Sequence, residues 1–169
     1  MNSKLNPRIW ANILSIVLLA VVAVTITLGF TSTAIALEYN KEILIGADFS
    51  GRDLTDSSFT KANLRQSNFS HANLRGVRFF AANLESANFE GADLTNATLD
   101  SARLIKTNLT NAVLEGAFAA NAKFDGAIID GADFTDVLLR RDEQNKLCKV
   151  AQGTNPTTGR DTRDTLYCR

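Results

Sequence analysis

Few of the 169 residues are of types that do chemistry. Two cysteines, Cys148 and Cys168, lie near the C-terminus, and the single histidine, His71, stands far from both in sequence. A thiol pair can serve as a redox couple, as half of a soft-metal site, or as a disulfide. A zinc site needs further sulfur or imidazole donors, and one remote histidine does not supply them. Carboxylates recur in step at Asp53, Asp93 and Asp133, a spacing that could stack them for a cation, but the positions midway hold Asn73 and Val113. There is no nucleophile elbow, Walker loop, CxxC pair or His–carboxylate cluster. The expectation is a chain with no catalytic residue, no metal site and no cofactor.

The elements that would position these groups are set by a period. From Ala47 to Leu139 every fifth residue is a centre: Phe49, Leu54, Phe59, Leu64, Phe69, Leu74, Phe79, Leu84, Phe89, Leu94, Leu99, Leu104, Leu109 and Leu114, then Ala119, Phe124, Ile129, Phe134 and Leu139. Nineteen centres follow without insertion, and the residue two before each is Ala in thirteen cases. A helix requires an apolar period near 3.6 and a flat strand a period of two. Five suits a coil in which five residues form one side of a square and four sides make a turn. Seven of the ten glycines stand three before a centre, where a sharp bend or a positive φ is needed.

The units Ala62-Asn63-Leu64, Ala72-Asn73-Leu74, Ala82-Asn83-Leu84 and Ala92-Asp93-Leu94 resemble the pentapeptide-repeat family. That resemblance implies an all-β solenoid, a right-handed quadrilateral β-helix of about five coils. At the usual strand spacing the column is roughly 23 Å long, and each coil touches only its neighbours. Arithmetic modulo twenty stacks Phe49, Phe69, Phe89, Leu109 and Ile129 on one face, opposite Phe59, Phe79, Leu99, Ala119 and Leu139. Ala119 leaves a light spot in the column, which Phe118 either turns in to fill or leaves by lying exposed. Arg52 breaks the small-residue rule; since a buried unpaired charge is costly, it is expected in the open-ended first coil with its guanidinium in solvent.

Residues 1–36 read as a signal peptide or membrane anchor, and 37–46 as a lead-in to the solenoid of 47–139. Lys4 and Arg8 precede an uncharged run from Ile9 to Phe30, and Ala34-Ile35-Ala36 offers a small-x-small cleavage site before Leu37. Twenty-two helical residues span about 33 Å, enough to cross a bilayer core, so the alternative to cleavage is an anchor held by residues 9–30. Either way the repeats are exported. No Arg-rich, Ser-rich transit peptide precedes the segment, which suits a bacterial or cyanobacterial source better than an imported precursor. In an oxidising compartment the isolated pair Cys148 and Cys168 reads as a disulfide. Closing about twenty residues contributes roughly 3 kcal/mol in the chain-entropy account.

Beyond Leu139 the beat stops. Arg140 to Gln152 carries Asp142 and Glu143 early, Lys146 and Lys149 late, and apolar residues at helical spacing, with Gly153 as a stop. Asn155-Pro156 and Gly159 mark a turn, and Thr162 to Leu166 suits one more helical turn. A solenoid end needs covering, so residues 140–169 are expected to form a helical cap. The stretch from Asp133 to Cys168 also resembles the tails of thylakoid-lumen pentapeptide proteins, in which terminal helices are tied by a disulfide.

Charge divides the molecule. The repeats hold 12 acidic and 8 basic residues, and the tail 4 and 7. One side gathers Asp53, Asp56, Asp93, Glu115, Asp133 and Asp136 against Arg75; another stacks Phe80, Phe118 and Leu138 in outward phases, an apolar surface of the kind that marks contacts. The tail folding back over Phe118 and Leu138 is the favoured explanation of that patch, an external protein partner the alternative. The functional expectation is an exported, non-catalytic binding or scaffolding module of the thylakoid lumen or the periplasm. Association with photosynthetic membrane complexes is what the lumenal resemblance implies. The alternatives are a redox-responsive lumenal protein using Cys148 and Cys168, and a gyrase-binding DNA mimic of the sort known in the family. A mimic would want a longer acidic rod in the cytosol, and no nucleic-acid partner is expected.

Overall fold

A computed structural model describes residues 36–169; the leader reading of residues 1–36 falls almost wholly outside the described residues. Seventeen parallel bridges join each bridging residue to the one twenty positions later, from Glu38↔Ser58 to Phe118↔Leu138, without a break. The chain turns every five residues. Only about three residues per side are therefore extended, and pairing comes as single bridges rather than long strands. From Ser58 onward the residue before each centre exchanges both main-chain groups with the coil before it. Asn63 N–H donates to Glu42 O and Asn63 O accepts from Leu44 N–H, both at 2.8 Å. A turn bond such as Ala62 N–H to Phe59 O, 3.0 Å, closes each corner. The result is a β-solenoid whose backbone polar groups are consumed coil by coil.

The register begins two repeats earlier than the sequence reading had it. Residues 37–46, set aside as a lead-in, already carry the bridges Glu38↔Ser58 and Ile43↔Asn63. Tyr39 and Leu44 occupy centre positions. The departure from Phe or Leu hid the first of these: Tyr39 stacks on Phe59 at 4.8 Å between ring centroids and meets Phe49 edge-on at 5.6 Å. Below it two aromatic ladders run in opposition, Phe49–Phe69–Phe89 and Phe59–Phe79, stacked within a ladder at 5.0–5.2 Å and T-shaped across the column.

Every centre from Phe49 to Phe134 is buried. Leu139, expected to join them, is only half-buried, because it is the last centre and has no full coil beneath it. Arg52 lies at the surface of the first coil with its guanidinium 5.5 Å from the Phe49 ring centroid, covering that ring from above.

The corners obey a rule the glycines only hinted at. Left-handed backbone recurs at the same phase whether the residue is Gly or not, and on two edges the types alternate: Gly51, His71, Gly91, Asn111, Gly131, and Asp56, Gly76, Asn96, Gly116, Asp136. Asp56, His71, Asn96 and Asn111 each lie over the glycine of the next coil. A Cβ on Gly91 would stand 2.5 Å from His71 Nδ1, and one on Gly116 2.5 Å from Asn96 Oδ1. Glycine is needed there for space as well as for φ. Asn121 departs from this left-handed pattern; instead its N–H and Nδ2 both donate to Asp100 Oδ1 at 3.0 Å, next to the undersized centre Ala119.

After Leu139 the tail forms α1 (Arg141–Leu147) and α2 (Thr162–Thr165). α1 is shorter than the Arg140–Gln152 helix expected, since Cys148 to Val150 continue as a turn. Leu147, Ala151 and Leu166 join the buried core at its C-terminal end. Asp161 caps α2 by accepting from Arg163 N–H at 2.8 Å.

Candidate interaction surfaces

Three features have chemistry or surface enough to act: the cystine, the acidic side and the apolar side. Cys148 and Cys168 are joined, with Cα atoms 5.5 Å apart, and there are no free cysteines. Both are partly exposed. They border a cavity of about 690 Å³ lined also by Arg141, Gln144, Lys149, Tyr167 and Arg169. Arg163 donates to Cys148 O at 3.0 Å, which ties the two arms of the loop a second time. Among the described residues no group of three or more His, Cys, Asp or Glu side chains is placed to hold a metal.

The acidic residues are brought to one side, but not as a bare row. Asp53, Asp93 and Asp133 each fold back on a threonine two residues on; Thr95 N–H reaches Asp93 Oδ1 at 3.0 Å and Thr135 N–H reaches Asp133 Oδ1 at 2.9 Å. Asn73 Nδ2 spans the gap to Asp53 at 3.1 Å. Arg75 pairs with Asp93 at 3.0 Å. Arg160, from the tail, meets Glu115 at 2.8 Å and Asp133 at 3.1 Å. The expectation that Arg75 is the lone cation of this side is thus corrected, as is the exposure of Asp133, whose side chain is fully buried. Asp56 and Asp136 remain at corners in solvent. Burial pushes the Asp133 carboxyl up, but the Thr135 and Thr158 hydroxyls, the Thr135 amide and Arg160 outweigh it and hold it below the ordinary carboxylate value. Asp93 follows the same balance, with Thr95 and Arg75 prevailing over burial.

Among the described residues nothing covers the apolar side. Phe80, Phe118 and Leu138 are 40%, 45% and 52% exposed. Phe118 bridges Thr98 and Leu138 in the ladder, so its side chain is held outward and does not fill the space beside Ala119. The expected fold-back of the tail over Phe118 and Leu138 does not occur. α1 turns instead under the last coil, where the free main-chain groups and the open apolar end are.

The residues that hold it there were not singled out from sequence. Buried Asn155 donates through Nδ2 to Asn111 O, Ala112 O and Gly131 O at 3.1, 3.2 and 2.9 Å, and accepts from Thr157 and Thr158 N–H. Thr165 Oγ1 accepts from Phe134 N–H at 3.1 Å. The buried carboxylate of Glu143 sits against Phe124 N–H at 3.4 Å and is neutralised by Lys146 at 3.0 Å and Lys123 at 3.3 Å. Gln152 O takes the N–H of Gly131 at 2.8 Å, so the tail supplies a partner where a further coil would. Asn155-Pro156 was legible only as a turn.

Comparison with known proteins agrees with this architecture. The pentapeptide repeat region matches residues 36–109, and pentapeptide repeats (8 copies) match residues 102–141. A solved pentapeptide repeat protein from the Arabidopsis thaliana thylakoid lumen is 50% identical, over 78% of this chain and 91% of that one, with a TM-score of 0.76. Another, from Nostoc, is 28% identical over 62% of this chain and 86% of that chain, with a TM-score of 0.51. This chain belongs to the pentapeptide-repeat family. A shorter match, 67% identical over 36 residues, is to the thylakoid lumenal 15 kDa protein 1, chloroplastic, of Arabidopsis thaliana; it takes in 21% of this chain and 16% of that protein's length.

Proposed function

We propose that the protein is an exported, non-catalytic binding or scaffolding module of the thylakoid lumen. In this reading it is a right-handed quadrilateral solenoid of about five coils, its C-terminal end shut by a disulfide-tied helical cap. The likeness to a thylakoid-lumen protein across most of the chain supports the compartment. A mature N-terminus at Leu37, after cleavage at Ala36, accompanies it. The observation that carries the binding role is the apolar side. Phe80, Phe118 and Leu138 lie on a rigid surface that the chain's own tail leaves uncovered, and such surfaces mark protein contacts. The partner class is a protein, with photosynthetic membrane complexes the first candidates. Crosslinking in the native compartment, followed by identification of the adducts, tests this. Phe118→Glu with Leu138→Glu is expected to abolish the adducts while the fold persists; unchanged adducts would refute the assignment of this side.

A second reading, a redox-responsive role, is favoured by the partial exposure of both half-cystines beside a basic cavity. Labile, regulatory disulfides have more oxidising potentials than structural ones. A reduction potential in the structural range, below about −300 mV, would set that reading aside. The DNA-mimic reading gains nothing from the acidic side, because Arg75 and Arg160 interrupt its charge.

A further inference from the structure

At its C-terminal end the column is closed by thirty residues of tail; at the other end the first coil has no described residue above it. In later coils the residue before each centre bonds upward through its main chain. In the first coil the equivalent residues are Glu38, Ile43, Asp48 and Asp53, and their N–H groups meet no main-chain acceptor among the described residues. One side of this rim is apolar: Ile43 is 76% exposed and Ile45 51%, with Tyr39 and Leu44 half-buried beside them. An open row of pairing groups next to apolar side chains is a template for another chain.

We propose that this end is the interface of a head-to-head homodimer, two first coils pairing edge to edge about a two-fold axis through the Ile43–Ile45 side. A straight peptide strand could follow one side of the rim only, because the backbone turns every five residues. A coil end of the same outline meets all four sides at once. Head-to-tail stacking is shut off, since Asn155, Thr165 and Glu143 already occupy the opposite end. The closed, isologous arrangement remains, and it is the commonest in homo-oligomers.

The rim residues are complementary about that axis. Ile43 falls opposite Ile45 of the second copy, Leu44 opposite Leu44, and Tyr39 opposite Phe49. Asn40 faces Asp48, and Arg52 faces Asp56. Glu38 and Asp53 face Ser50 and Thr55, so no like charges meet. An axis through the neighbouring Phe49 side would instead set Ile45 against Asp53 and Glu42 against Asp56, which loses both the apolar match and the charge match. Sequence and outline together therefore select one register.

The mass of the full chain in detergent, followed by light scattering through a dilution series, tests this. The expected result is two chains per particle, dissociating on dilution. The double variant Ile43→Asn with Ile45→Arg installs the residue types that the next coil carries at Asn63 and Arg65, so the coil should fold unchanged. It is expected to weaken association about tenfold or more with the melting curve preserved, whereas Phe118→Glu should leave association intact. A single-chain mass throughout would overturn the proposal. So would a dimer that survives the Ile43/Ile45 variant, which would put the contact in residues 9–30 or on another face.

Discussion

Leu94 and Asn155 are both fully buried, yet they hold their parts of the molecule differently. Leu94 is one of a series of equivalent centres, with Leu74 above and Leu114 below, and its backbone bonds repeat those of the centres from Tyr39 to Ala119. Asn155 has no counterpart: five hydrogen bonds converge on one side chain that joins the tail to two coils. The column is stabilised by repetition, the tail by single-copy contacts. Damage to the column should therefore spread to neighbouring coils in proportion to lost packing, and damage to the tail should release one end.

The largest effect is expected in the column. Leu94→Ala leaves a void between stacked leucines and should cost about 2–5 kcal/mol in urea melts; a loss below about half of one would remove Leu94 from the core and the register with it. Leu139→Ala, half-buried at the last turn, should cost clearly less, which separates the middle from the end. Next comes the staple: Cys148→Ser with Cys168→Ser should lower stability by roughly 3 kcal/mol, read as earlier melting of the tail. Asn155→Ala strands the carbonyls of Asn111, Ala112 and Gly131 and should cost about 1–3 kcal/mol. Cysteines placed in the tail and last coil for spin labelling should then report a detached tail over an intact column.

Two smaller effects sharpen the comparison. Gly76→Ala puts a Cβ on left-handed backbone and into Asp56, and should cost about 1–2 kcal/mol from the conformation, with the clash added. Gly46→Ala has the same backbone strain but open space and should cost less. Acid should act on the tail. Asp133 is held below the ordinary carboxylate value in the folded chain, so the stability it contributes is complete above that ordinary value. It falls away as pH drops through the lowered folded value. Tail spin labels should thus be unchanged from pH 7 to pH 5 and gain mobility only below about 4.

The period made the column legible, because at each phase one residue type was demanded by geometry: a large apolar centre, a small neighbour, a glycine or polar corner. Tyr39 and Leu44 escaped the count since Tyr39 is neither Phe nor Leu and the residues two before these centres, Leu37 and Glu42, are not small. The tail could not be read that way. Arg160 looks like any exposed cation until the turn at Asn155-Pro156 brings it to Glu115 and Asp133, and Glu143 looks like a helix-start acid until α1 turns it beneath Phe124. Phe118 was ambiguous for a like reason: only the ladder position between Thr98 and Leu138 fixes its side chain outward.

Hydrogen exchange on oxidised and reduced protein, resolved coil by coil, tests most directly whether the tail is a local closure on a self-sufficient column. Opening free energies in a stack of nearest-neighbour units should differ along it. Reduction is expected to speed exchange in residues 140–169 and in the last coil from Phe124 to Leu139, while Leu64 to Leu104 keep their protection. Uniform loss of protection from the first coil to the last on reduction would contradict the account.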